Sequence, residues 1–172
     1  MTEFHTRALI ALIGGLAFAQ APPKFEDYPV KEIFAGKPAP PQLVRRIERY
    51  YRTVIRPAVR DAKAPDFAGQ FIVAHWGCGT DCVQYAFVDA KTGVIYPPPI
   101  VGKRGVEDYF SAAFLSFKAN SRLIVSEGNC DFLNGGICDR DYFVWEKRRF
   151  RHLRHIPRFG PRFRGLEDAI PH

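Results

Sequence analysis

Methionine occurs once in this 172-residue chain, at position 1, and tryptophan only twice. The apolar mass falls instead on 15 phenylalanines and seven tyrosines, so a core heavy in Phe and Tyr is expected. No apolar run reaches the roughly 20 residues that a membrane-spanning helix needs. No Cys-x-x-Cys pair occurs, which removes the usual signature of a thiol oxidoreductase and the short knuckle of structural zinc. Carboxylates form no paired constellation for acid–base work, and Glu127, Asp131, Asp139 and Asp141 read as loop solvation. Acid is absent altogether from Lys147 to Arg164. There is no internal repeat, and no cofactor is expected.

The length fits one domain. A hydrophobic content of 47% is globular, and 14 prolines imply numerous loops of fixed shape. The formal charge of +7 and pI near 9.4 favour anionic partners, an argument about association and not about fold.

At the N-terminus, Arg7 precedes an apolar run from Ala8 to Phe18, closed by Ala17-Phe18-Ala19 before Gln20. A basic start, a short apolar stretch and an Ala-x-Ala site predict a signal peptide over residues 1–19. The mature protein is then expected outside the cytoplasm, periplasmic or secreted, and not membrane-spanning after processing. In that compartment Cys78, Cys82, Cys130 and Cys138 favour disulfides. Four cysteines allow three connectivities, of which the local scheme, Cys78–Cys82 with Cys130–Cys138, is preferred. Zinc is the competing reading, and the x3 and x7 spacings disfavour it.

Residues 20–41 form a Pro-rich lead-in, a linker or surface strap, with Phe25, Tyr28, Val30, Ile33 and Phe34 able to tack it down. A single α+β domain is expected over 42–156. From Gln42, the spacing of Leu43, Ile47, Tyr50/Tyr51, Val54 and Val59 predicts a helix that Pro57 kinks or divides. Arg45, Arg46, Arg49, Arg52 and Arg56 read as its solvated face.

Phe71–Trp76 and Val83–Asp89 are apolar on both alternating sets, the pattern of strands covered on both faces. Opposing Cys78 and Cys82 places Val73 against Phe87, Ile72 against Val88 and His75 against Tyr85. Asp89-Ala-Lys-Thr-Gly93 predicts a turn, with Asp capping and Gly supplying positive φ. Val94–Tyr96 is a third strand. The spacing of Val106, Tyr109/Phe110, Ala113/Phe114 and Phe117 predicts a short second helix. Arg122–Ser126, Asp141–Glu146 and Phe150–Ile156 are strands, with turns at Asn134-Gly135 and Glu146–Arg149. Residues 157–172 are a basic aromatic tail. The architecture expected is an N-terminal helix packed on an antiparallel sheet of five or six strands, with disulfide-pinned hairpins.

Phe67-Ala-Gly69, His75-Trp-Gly-Cys-Gly-Thr-Asp-Cys82, Asp89-Ala-Lys-Thr-Gly93 and Asn120-Ser-Arg-Leu-Ile-Val125 occur in order. This stretch resembles a group of small exported bacterial proteins with an Asn/Asp-Phe-Ala-Gly-His-Tyr, Trp-Gly-Cys-Gly-Thr-x-Cys and Asp-x-Lys-Thr-Gly pattern. The resemblance covers roughly Arg52 to Val125 and implies export and an antiparallel fold, with no activity attached. Gln70 stands where the group often has His, and Asp81 where it often has Gly, so a role for that His does not transfer.

Two constellations carry candidate chemistry. Cys78 with His75 and Asp81 offers a nucleophile, a base and an acid, the set a cysteine hydrolase needs. In the proposed hairpin, however, His75 points to Tyr85 while Cys78 faces Cys82. The stretch Lys147–Arg164 holds eight Lys/Arg, two histidines and three phenylalanines. Arg149, Arg151, His152, Arg154, Arg158, Arg162 and Arg164 are its candidate binding residues, joined by Thr80 and Asp81 at the cysteine turn. Arginine pairs with phosphate and Phe adds apolar contact. His152 and His155 are discounted as metal ligands because a spacing of three places them on opposite sides of a strand.

The expected function is a non-enzymatic module for an anionic envelope component (anionic lipid, lipopolysaccharide or cell-wall polymer) or for a protein partner. Nucleic acid is not expected. The alternatives are the hydrolase at Cys78 and His75 and an inhibitor or immunity-type protein.

Overall fold

A computed structural model describes residues 21–79, 82–99, 111–112, 114–131 and 137–157. Two antiparallel four-stranded sheets form the body. In the first, β1 (Phe71–Gly79) pairs with β2 (Cys82–Asp89), which also pairs with β3 (Ile95–Tyr96) and β4 (Ser111–Ala112). In the second, β5 (Phe114–Phe117), β6 (Leu123–Asp131), β7 (Ile137–Glu146) and β8 (Arg149–Ile156) are neighbours in chain order. The single sheet of five or six strands is thus corrected to two. The chain leaves the edge of β2 at β4 and, one residue later, joins the edge of β6 as β5.

That crossing also corrects the helix expected over 106–117, whose residues 106–110 lie outside the described part. Phe114 and Ser116 are exposed while Leu115 and Phe117 are half-buried, a period of two. The competing three-and-four spacing of the aromatics loses because two open sheet edges supply hydrogen bonds to an extended chain.

The β1–β2 register is the one the sequence predicts, with Val73↔Phe87, Ile72↔Val88 and His75↔Tyr85. Both faces are covered. On one side Ile72, Ala74, Ala86 and Val88 pack beneath Ile55 and Val59 of helix α2 (Arg52–Asp61). On the other, Phe71, Val73, Tyr85 and Phe87 meet Ile124 and Trp145 of the second sheet. Phe67, Phe71 and Phe87 have no exposed surface, and each contributes about 1.5–3 kcal/mol by leaving water.

The helical segment divides, but at Tyr51 and not at Pro57. Helix α1 (Arg46–Tyr50) ends where Tyr51 takes φ −90° and ψ 16°, and α2 runs through Pro57. Tyr51 turns its ring onto Trp76, centroids 4.7 Å apart. The bond that Pro57 cannot donate belongs to Thr53, which is exposed, so water can satisfy that carbonyl. Glu48 is 2% exposed, because its carboxylate accepts from the Arg45 backbone N–H (2.7 Å) and guanidinium (3.0 Å).

The lead-in straps the body through backbone bonds: Val30 N–H to Asn120 O, Phe34 N–H to Gly69 O, Ala39 N–H to Ala90 O and Gln42 N–H to Gly93 O. At the Asp89 turn, Asp89 Oδ1 accepts from the N–H groups of Lys91 (2.8 Å) and Thr92 (3.1 Å), and Gly93 sits at φ 77°. A Cβ on Gly93 would collide with the Pro40 carbonyl, and one on Gly69 with the Glu32 carbonyl. Both glycines therefore serve the strap as well as their own turns.

Candidate anion-binding surface

The β7–β8 hairpin carries the basic stretch. Trp145 opposes Phe150 and Glu146 opposes Arg149, leaving Lys147 and Arg148 as a two-residue turn. Their φ values are 48° and 61°. A turn with two consecutive positive φ angles ordinarily takes Asn-Gly, because a side-chain-bearing residue there crowds its own carbonyl. Here both places hold long cations, and both are exposed. The turn stands on aromatics: the Trp145 and Phe150 rings are 5.0 Å apart, edge to face, within the core shared with Phe67, Phe71 and Phe87. Arg148 Nη2 donates to the Tyr96 hydroxyl at 3.3 Å.

Along β8 the register slips between Phe143↔His152 and Tyr142↔Arg154. The extra residue, Leu153, makes a β-bulge, which resets the alternation of faces. His152 and His155 consequently share a face, correcting the expectation that they point apart. His152 Nε2 lies 2.9 Å and His155 Nδ1 3.0 Å from the same oxygen, Oδ1 of Asp141. Arg149, Arg151 and Arg154 fall on the opposite face of the strand.

Two arginines of the basic stretch are engaged, one by a carboxylate of β7 and one by a backbone carbonyl of the lead-in. Arg151 Nε donates to Glu146 Oε1 at 2.5 Å, and this bond holds the Glu146 carboxyl below its ordinary range and raises Arg151. Arg154 Nη1 donates to Ala21 O at 3.2 Å, and Arg140 pairs with Glu127 at 2.7 Å. Glu127 and Asp141 are thus strand residues with partners, not loop solvation. The side chains of Lys147 and Arg149 make no hydrogen bond or ion pair among the described residues. Within the described hairpin, the exposed cations Lys147, Arg148 and Arg149 gather at the tip. Arg158, Arg162 and Arg164 lie outside the described residues.

At the cysteine turn the register pairs Gly77 with Val83 and Gly79 with Cys82, so an irregularity at Cys78 replaces the direct Cys78–Cys82 opposition. Among the described residues no cysteine is a free thiol. The side chains of Cys82 and Cys130, and all of Thr80 and Asp81, lie outside the described residues, as does the Asn134-Gly135 turn. His75 is exposed, its ring centroid 6.3 Å from that of Tyr85. Among the described residues no cluster of three or more His, Cys, Asp or Glu has the geometry to hold a metal. No described helix is long and apolar enough to cross a membrane.

Sequence reasoning found the basic stretch but missed the partners of Arg151 and Arg154. The bulge at Leu153 and the cross-strand reach of Glu146 and Asp141 depend on pairing with β7, for which the linear pattern carries no signal. No family model, curated protein or solved structure matches the chain.

Proposed function

We propose that this is an exported, non-enzymatic binding module that engages an anionic envelope component through the tip of the β7–β8 hairpin. One observation carries the reading: two consecutive left-handed positions are filled by Lys147 and Arg148 where Asn-Gly would relieve the strain. Strained backbone that the surrounding structure holds in place gathers at functional positions. Arg149 extends the same cationic tip. Cationic side chains at an anionic membrane surface contribute about 1 kcal/mol each, enough for three together to bias location. The basic tail, residues 157–172, adds to this in the same sense.

Export rests on the N-terminal apolar run and on the resemblance to small exported proteins. In that compartment we pair Cys78 with Cys82 and Cys130 with Cys138. The register shift between Gly128↔Asp139 and Asp131↔Ile137 leaves Asn129 and Cys130 together across from Cys138, a neighbourhood that a disulfide can span. A cysteine hydrolase at Cys78 and His75 requires a thiolate, which a disulfide-bonded Cys78 does not supply.

The test uses the mature chain and vesicles of phosphatidylcholine with or without phosphatidylglycerol. Expected is binding to the anionic vesicles that falls with added salt, and that falls again in Lys147→Asn/Arg148→Gly. Salt-insensitive binding, or binding unchanged in that variant, overturns the assignment to the tip. Co-purification of one protein partner with no vesicle binding would favour an inhibitor or immunity-type role.

A further inference from the structure

The strap crosses the loops that lead into β1 and β6, with Phe34 N–H on Gly69 O and Val30 N–H on Asn120 O. The crevice there encloses about 500 Å³, within the range of small-ligand sites. Gln70 and Lys91 enter it from the first sheet, Arg122 and Trp145 from the second, and Lys31 and Glu32 from the strap.

Its charge is unbalanced. Three cations face one carboxylate, and that carboxylate, Glu32, already accepts from Lys91 Nζ at 3.2 Å. Arg122 spends only its Nε, on Pro29 O at 3.4 Å, and its terminal nitrogens make no bond among the described residues. The nearby Glu146, on which the Arg122 charge acts, is held by Arg151. Lys31 is exposed and has no ion pair among the described residues.

A neutral donor joins them. Trp145 is 8% exposed, and its indole N–H makes no hydrogen bond among the described residues. No buried side-chain polar atom among the described residues lacks a partner, so this N–H is not wholly buried, and Trp145 lines the crevice. Trp76 differs: its N–H is spent on Gln84 Oε1 at 2.5 Å.

The wall between these groups is strained. Ala68 and Gly69 take φ 51° and 68° in succession, held by Ala68 N–H to Ser121 O, Gly69 N–H to Ala119 O and Phe34 N–H to Gly69 O. A residue with a side chain kept in that region by its surroundings is a mark of ligand sites.

We propose that this crevice binds a compact oxyanion, the phosphate or carboxylate of a small polar ligand, with Lys31, Lys91 and Arg122 as its cations and the Trp145 N–H as a neutral donor. The site is separate from the hairpin tip and stands whether or not the tip binds vesicles.

The test is an amide and indole NMR titration of the mature chain with inorganic phosphate and, in parallel, acetate. Two indole signals are expected, of which Trp145 shifts and Trp76 does not, together with Gln70 and Lys91. Lys91→Gln/Arg122→Gln, both at the surface, should weaken the response about tenfold or more, as expected for losing charge-assisted bonds. Lys147→Asn/Arg148→Gly should leave it unchanged. Response to one probe alone identifies the oxyanion class. No Trp145 shift with either probe, or a shift that survives the Lys91/Arg122 variant in a chain with wild-type unfolding behaviour, overturns the proposal.

Discussion

Lys147 and Arg148 stand side by side in the left-handed region, the only consecutive pair of non-glycine residues to do so among the described residues. Each costs about 1–2 kcal/mol there. Replacing them by Asn and Gly, the residues that geometry favours, is therefore expected to raise unfolding free energy by about 1 kcal/mol or more in urea titrations. The same change is expected to reduce anionic-vesicle binding. A variant that is both more stable and weaker in binding separates function from folding. A loss of stability would mean that the contacts removed, such as the Arg148–Tyr96 hydrogen bond, outweigh the strain relieved.

Gly69 and Gly93 should each reject alanine. Both lie at positive φ, and an added Cβ would meet a strap carbonyl, of Glu32 and Pro40 respectively. Gly69→Ala is expected to cost about 1–3 kcal/mol by thermal or chemical unfolding. Amide exchange should also rise at Phe34, whose N–H bonds the Gly69 carbonyl.

Phe87 lies at the centre of the aromatic cluster, within 5.6 Å of Phe67 and 5.3 Å of Phe150, ring to ring. Phe87→Ala should cost about 3–5 kcal/mol in equilibrium unfolding, because β1, β2 and the second sheet cannot all close on the cavity. Phe114→Ala, at the exposed side of β5, is expected to stay within about 0.5 kcal/mol of wild type.

The Glu146–Arg151 pair sets a pH dependence. The folded carboxyl sits below its ordinary value because Arg151 donates to it. Its contribution is therefore fully present above the unfolded value and is lost as pH falls through the folded one. Urea titrations from neutral to acid pH should show a stability decline on the acid side, roughly pH 5 downward. Arg151→Ala should flatten that part of the curve, and an unchanged slope would remove the pair as its cause. The pair is exposed, so the effect is small and weakens with salt.

Non-reducing mass spectrometry of the mature protein should find no reactive thiol. Proteolytic mapping should return Cys78 linked to Cys82 and Cys130 to Cys138. A labelled thiolate at Cys78 would restore the case for cysteine chemistry beside His75.

The β1–β2 hairpin was legible in the linear chain because two doubly apolar runs flank a tight turn, and opposing Cys78 and Cys82 across that turn fixes the pairing of the residues before it. The Asp89–Gly93 turn was legible because its two requirements, a capping carboxylate and a positive φ, are local. The split of the helix was legible but misplaced: Pro57 is the obvious breaker, whereas the packing of Tyr51 on Trp76 set the break. Phe114–Phe117 failed as a helix because its aromatics satisfy two periods at once, and only the open edge of β6 decides between them.

The sequence by itself determined the strands of the centre, the basic character of the last hairpin and the excess of aromatic core. Each follows from neighbours along the chain. Tertiary structure alone decided the division into two sheets, the bulge that turns His152 and His155 onto Asp141, and the cancellation of Arg151 by Glu146. It also decided the crevice in which Lys31, Lys91, Arg122 and Trp145 meet, residues up to 114 positions apart in the chain. The physical reason is common to all four. Charge and donor groups act through space over a few ångströms, and strand pairing sets those distances where sequence separation does not.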